Sequence, residues 1–230
     1  MLLFYIRHGE PIYNPDSLTP LGEEQAMALA KRLALCGIDR IFASTSNRAI
    51  QTAKPTSEIL GKEITLLDFC NEAHAWKDFT VTTEENVRTW AYYHQKTKEL
   101  FVDKTIALND RWYEDKRLPK NTFKAGVERV NANVDEWLLG LGYQHDRERG
   151  IYNIIKPTPE RIALFAHEGF GKAFLSSLLD IPYPLFCTHF DIGHTAMTVI
   201  EFKDNNGVVI PSVVTHANDS HLYREGLLEQ

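Results

Sequence analysis

The chain has 230 residues and a formal net charge of -6 at pH 7. That balance excludes the basic footprint of a nucleic-acid binder, yet leaves room for a small anionic substrate in a local cationic pocket. Hydrophobic residues make up 43% of the chain, enough for one core or one core with an elaborated subdomain. The N-terminal apolar run Met1 to Ile6 is too short for a signal peptide or a membrane span, and no later stretch reaches membrane length without a charge.

In chain order, Leu2 to Ile6 reads as a first strand that runs into Arg7, His8, Gly9 and Glu10. A helix follows over Pro20 to Cys36: Thr19 caps it, Pro20 suits its first turn, and Gly37 suits its stop. Its apolar positions Leu21, Ala26, Leu29, Ala30 and Leu33 share one face. Arg40 to Ala43 is a short second strand, followed by a helix over about Asn47 to Leu60 that Pro55 is expected to kink or interrupt. Glu63 to Leu67 reads as a third strand. Far downstream, Arg161 to Ala166 is a fourth, leading into a helix over about Gly169 to Leu179. Met197 to Phe202 and Val208 to Val214 read as closing strands around a turn at Asp204 to Gly207. This alternation predicts an α/β fold, three layers α/β/α around a mainly parallel sheet.

Between the third and fourth strands, at about 73–160, lies a segment of different character, read as a helical insertion capping the C-terminal edge of the strands within one domain spanning 1–230. Two helices are expected in it, over about Thr83 to Phe101 and Phe123 to Gly140. Trp76, Trp90, Tyr92, Tyr93, Trp112 and Tyr113 cluster around them, either as a surface that stacks a sugar or base or as ordinary core. Cys36, Cys70 and Cys187 are odd in number and widely spaced, without a CxxC pair, as expected of reduced thiols in a cytoplasmic protein.

Four strands in this reading end on polar residues: Arg7-His8-Gly9-Glu10, Ser44 to Arg48, Asn71-Glu72, and His167-Glu168-Gly169. Open α/β sheets bind ligands outside the carboxyl ends of their strands, so two histidines, two arginines and at least one carboxylate converge on a common edge. Two arginines beside two histidines fit a phosphate-bearing ligand, because guanidinium groups stay charged and donate bidentately to phosphoryl oxygens. Gly9 would allow close backbone approach to such an anion. A neutral imidazole can attack phosphorus, and expelling an alkoxide then needs a carboxylic acid of raised pKa. His189, Asp191 and His194 have metal-ligand chemistry but no partner motif, and read as a loop whose His194 and Thr195 border the pocket. His216 and His221 have no evident role.

At these residues the sequence resembles the histidine phosphatase superfamily, the phosphoglycerate mutase-like family. The resemblance rests on four motifs in order: "RHGE" at Arg7 to Glu10, "LTPLGEEQA" at Leu18 to Ala26, "RAIQTA" at Arg48 to Ala53 and "FAHEG" at Phe165 to Gly169. It implies His8 as the phosphorylated nucleophile, with Arg7, Arg48 and His167 forming the phosphate pocket. Asn14 stands where relatives place a phosphate-contacting asparagine, or else shapes a turn. Glu72 is the expected proton donor, with Asp68 as competitor. The implied activity is a metal-independent phosphomonoesterase acting on a small phosphorylated metabolite, without cofactor, nucleic acid or membrane as partner. The alternatives are a mutase-type phosphoryl transfer and a non-catalytic phosphate-binding protein; the oligomeric state stays open. Two departures stand out. Glu168 intervenes between His167 and Gly169, where it would repel phosphate, pair with an arginine or point away, and "NEAHAW" lacks the Gly-rich continuation of true mutases.

Overall fold

The computed structural model describes residues 1–227. Strand β1 (Leu2–Arg7) is followed by a hairpin of β2 (Pro11–Tyr13) and β3 (Asp16–Leu18), helix α1 (Pro20–Cys36), β4 (Arg40–Ser44), α2 (Asn47–Leu60) and β5 (Ile64–Leu67). Helix α3 (Glu72–Phe79) leads into a hairpin of β6 (Thr80–Thr82) and β7 (Arg88–Trp90), then α4 (Gln95–Val102), α5 (Lys104–Ala107) and α6 (Phe123–Gly140). Strands β8 (Tyr143–Asp146), β9 (Ile151–Ile154) and β10 (Arg161–Ala166) precede α7 (Glu168–Leu179) and α8 (Tyr183–His189). The chain closes with β11 (Met197–Glu201), β12 (Val208–Val209), β13 (Ser212–Asn218) and α9 (Ser220–Glu225).

The central sheet has the order β13-β11-β1-β10-β4-β5. Strands β1, β10, β4 and β5 run parallel, while β11 lies antiparallel between β1 and β13. Because side chains alternate across a strand, Leu3 and Tyr5 enter the core on one face with Phe170 and Phe174 of α7. Phe4 and Ile6 enter the other with Leu29 and Leu33 of α1. Both faces are therefore covered, as a mainly parallel sheet requires. The helix signals at α1 act as read: Thr19 Oγ1 accepts from the Gly22 N–H, Pro20 stands in the first turn, and Gly37 closes the helix at φ 69°. No helix among the described residues is long and apolar enough to cross a membrane.

Two expected elements differ. The helix expected over Thr83 to Phe101 exists only as α4; its first part is the β6–β7 hairpin, because the run Thr80-Val81-Thr82 is β-branched and Asn86 turns the chain at φ 61°. The strand expected over Val208 to Val214 is split at Pro211, which has no N–H to continue a ladder: β12 pairs with β9, and β13 pairs with β11. Helix α2 runs over Asn47–Leu60 as expected, with Pro55 inside it rather than interrupting it. The stretch 73–160 combines helices with the β6–β7 and β8–β9 hairpins.

Helix α7 is gripped at its far end. The His145 ring donates from Nδ1 to Asp135 Oδ1 and from Nε2 to Asp180 Oδ2, each at 2.8 Å, and Arg147 bonds both carboxylates. Burial opposes the charge on His145, but the two aspartates outweigh it and raise its pKa. This ties α6, β8 and Asp180, the C-cap residue of α7, together.

Candidate active site

The carboxyl ends of β1, β10 and β4 open on one edge of the sheet, and three helices, α2, α3 and α7, begin there. Their N-terminal N–H groups favour negative charge at that edge. His8 follows β1, and its N–H donates to Ala166 O at 3.0 Å, which places it beside His167 at the end of β10. The two imidazole centroids are 5.1 Å apart.

The hydrogen bonds define the tautomers. His8 Nδ1 lies 2.7 Å from the Gly9 carbonyl, which only accepts, so Nδ1 carries the proton. Its Nε2 accepts from Arg48 Nε at 3.2 Å and so holds a lone pair. His167 has the opposite arrangement: Nδ1 accepts from Arg48 Nη2 at 3.2 Å and Nε2 donates to Ser44 Oγ at 2.8 Å. Burial, then His167 and Arg7, hold the His8 pKa well below the ordinary imidazole range. Burial, Arg48 and Arg7 do the same for His167, so both rings are neutral. Tyr5 fixes the backbone beneath, donating its hydroxyl to His167 O at 2.6 Å.

Arg48, in the first turn of α2, is also held from the β2–β3 hairpin: Asp16 accepts from Arg48 Nη1 at 2.7 Å and from the Asn47 N–H at 2.8 Å. Arg7 donates from Nη1 to Ile192 O at 2.7 Å and pairs with Glu168 Oε2 at 3.1 Å. Glu168 therefore pairs with an arginine, one of the three outcomes open from the sequence. Its other oxygen accepts from the Tyr93 hydroxyl at 2.9 Å and from buried Lys172 at 3.2 Å.

Glu72 opens α3 and accepts the N–H groups of Gly169 and Phe170, at 2.9 and 2.8 Å, from the first turn of α7. It thus caps a helix whose own N-cap residue, His167, makes no side-chain cap. Burial nevertheless pushes the Glu72 pKa up to about 7, against those two bonds and the pull of Arg48 and Arg7. A cavity of about 810 Å³ brings together Arg7, His8, Arg48, Glu72 and Glu168, with Tyr13, Trp76, Trp90 and Tyr93 around them. Asp68 faces a different depression and bonds His74 and Thr45. His167 sits beneath, fully buried. Asn14 is exposed at the tip of the β2–β3 hairpin and lies outside the cavity lining, where its neighbours Tyr13 and Asp16 stand instead. His194 and Thr195 border His8 as expected: the His194 centroid is 5.8 Å from that of His8, and the Thr195 N–H donates to His8 O at 3.2 Å. Asp191 faces Lys172 at 3.3 Å.

Gly9 serves a purpose other than the one expected. A Cβ on it would lie 2.6 Å from the Gly22 carbonyl oxygen, and one on Gly22 would lie 2.3 Å from Glu10 O. The two glycines let the end of β1 seat directly on the first turn of α1. Gly9→Ala is expected to cost about 1–3 kcal/mol through overpacking against backbone, read as a lowered denaturation midpoint; an unchanged midpoint would refute the close packing.

Asp16, Tyr5 and Lys172 escaped the sequence reading; Ser44 and Tyr93 entered it only as members of a polar strand end and an aromatic cluster, without their bonds to His167 and Glu168. Asp16 was two residues from Asn14, but only the hairpin shows that it reaches Arg48. The aromatics divide: Tyr92 and Trp112 are core, whereas Trp76, Trp90 and Tyr93 line the cavity.

The family model of the histidine phosphatase superfamily (branch 1) matches residues 3–214. The chain belongs to this superfamily. No match is found among curated proteins. Among solved structures, this histidine phosphatase superfamily member is similar to phosphoserine phosphatase from Entamoeba histolytica in complex with 3-phosphoglyceric acid. The TM-score is 0.62 at 20% identity, over 96% of this chain and 98% of that one. Mycobacterial glucosyl-3-phosphoglycerate phosphatase with VO3 matches at TM-score 0.60 and 20% identity, over 94% of this chain and 99% of its own. Its complex with inorganic phosphate matches at TM-score 0.61 and 19% identity, over 96% and 98%. At such identities the likeness establishes that the superfamily member shares their fold.

Proposed function

We propose that this protein is a phosphomonoesterase acting on a small phosphorylated metabolite through a phosphohistidine at His8. One observation carries the reading. Neutral His8 donates its Nδ1–H to the Gly9 carbonyl, leaving the Nε2 lone pair on the side of Arg48. On substrate binding, a phosphoryl oxygen takes over the Arg48 donor. Nε2 forms the N–P bond as the ester P–O bond breaks, and Glu72, protonated at a pKa of about 7, gives its proton to the leaving oxygen. The Glu72 carboxylate then takes a proton from water as that water attacks phosphorus. The N–P bond breaks, and phosphate leaves with the lone pair back on Nε2. Arg7, Arg48 and the helix N-termini meet the charge on the equatorial oxygens, so the proposal calls for no metal.

The test is rapid quenching of the protein with a radiolabelled phosphomonoester. A phosphoryl adduct that survives base, is lost in acid and maps to His8 is expected. Turnover with an adduct on another residue, or with none under single-turnover conditions, would refute the mechanism.

A further inference from the structure

Resting on the phosphomonoesterase reading and sharpening it, we infer that the preferred substrate is the phosphate ester of an alcohol bearing an uncharged planar ring, without a second anionic group. Two independent features of the cavity lead there.

The first is charge. The lining holds two cations, Arg7 and Arg48, against three carboxylates, Asp16, Glu72 and Glu168. Each arginine already has a carboxylate partner, Glu168 at 3.1 Å and Asp16 at 2.7 Å. Lys172 offers no further cation: it is 3% exposed, pairs with Glu168 and Asp191, and sits 4.1 Å from the Tyr92 ring centroid. One phosphate can engage the arginines and the helix N-termini. A second phosphate or a carboxylate on the same molecule would find no further cation in the lining, only Glu168, the aromatic wall or the neutral polar residues Thr45, Ser46, Asn47 and Asn71, which leave its charge uncompensated.

The second is shape. Trp76 and Trp90 meet edge to face at 89° with centroids 5.0 Å apart. Trp90 is backed by Tyr92, stacked at 16°, and presses on Gly169, where any Cβ would lie 2.3 Å from the indole. The corner is therefore rigid. The aromatic residues of the lining are not closed over: Trp76 is 36% exposed, Tyr93 58% and Tyr13 72%. Arg88 lies over Trp76 at 5.8 Å from its centroid and Arg48 over Tyr13 at 5.5 Å, so each of these rings has one face left for a ligand; aromatic rings so held beside a phosphate pocket are a stacking platform for a flat ring.

Three esters separate these features: adenosine 5′-monophosphate, ribose 5-phosphate, which has the same leaving alcohol without the ring, and 3-phosphoglycerate, which adds a carboxylate. Phosphate release should give kcat/KM for the adenosine ester at least about tenfold above the ribose ester, with 3-phosphoglycerate lowest. Trp76→Ala, at the exposed side of the corner, should lower kcat/KM for the adenosine ester and bring it within about threefold of the ribose ester. Dissociation constants for the same three esters, measured calorimetrically with His8→Ala, read the preference without turnover. If no ester is hydrolysed, the phosphatase reading fails, and the order of those constants still decides the preference. Equal values for the adenosine and ribose esters, or tightest binding of 3-phosphoglycerate, would overturn it.

Discussion

His8→Ala is expected to lower kcat/KM for any phosphomonoester by on the order of 10⁴-fold or more, the scale of losing a nucleophile. The size follows from the absence of a substitute at the site. The other buried imidazole, His167, is fully buried and absent from the cavity lining that includes His8, so its Nδ1 lone pair, held by Arg48, has no access to phosphorus. Glu72, the proton donor in the proposed step, enters it protonated and so offers no second nucleophile. Removing the His8 ring takes a neutral acceptor away from Arg48 Nε and leaves that donor to a phosphate oxygen. Binding of inorganic phosphate should therefore persist in the variant within about tenfold, which separates lost chemistry from a collapsed pocket. A variant that binds phosphate and still turns over at more than about a hundredth of the wild-type rate would sink the assignment.

Glu72→Gln should lower kcat by about 10²–10⁴-fold for esters of ordinary alcohols, the range for losing a general acid–base group. The pH dependence is the sharper readout. Burial raises the Glu72 pKa to about 7, so the acid form that the first step needs is depleted as pH rises through that value. His8, held neutral well below its ordinary range, adds no opposing limb near neutrality. Wild-type kcat/KM for an alkyl phosphate should therefore fall above about pH 7, and the glutamine variant should lack that fall. A phenolate leaving group departs without a proton. With such an ester the variant should still release a first equivalent in a burst and then stall as phosphoenzyme, since the second step lacks its base. Persistence of the limb near pH 7 in the variant would remove Glu72 from the mechanism and turn attention back to Asp68.

The parts of the site that were legible in the sequence are those written at strand ends. The apolar runs before Arg7 and His167 pin both residues to one sheet edge, and Arg48 opens a helix on that edge. Those facts need only local pattern and one rule of parallel sheets. The illegible parts all depend on a partner distant in the chain. Gly9 reads as room for a ligand until Gly22 is seen packed against it. Glu168 is ambiguous until Arg7, Tyr93 and Lys172 surround it. The β6–β7 hairpin was lost because polar β-branched residues in a short stretch carry little periodicity, and it is this hairpin that brings Trp90 to the cavity. Asn14 and Asp16 show the same limit: a three-residue strand decides which of two neighbours faces inward.

Helix α7 is fastened at both ends, by Glu72 at its head and by the His145 and Arg147 cluster at its foot. It behaves as a strut of twelve residues braced between two carboxylate anchorages. His167 and Glu168 stand at its head, so the buried histidine and the acid that pairs with Arg7 share one support. Across the cavity the β2–β3 hairpin is pinned in turn, its Asp16 bonded to Arg48 and to the Asn47 N–H at the head of α2. The cavity is thus set between two braced walls, and the geometry of its polar groups is fixed before any ligand arrives.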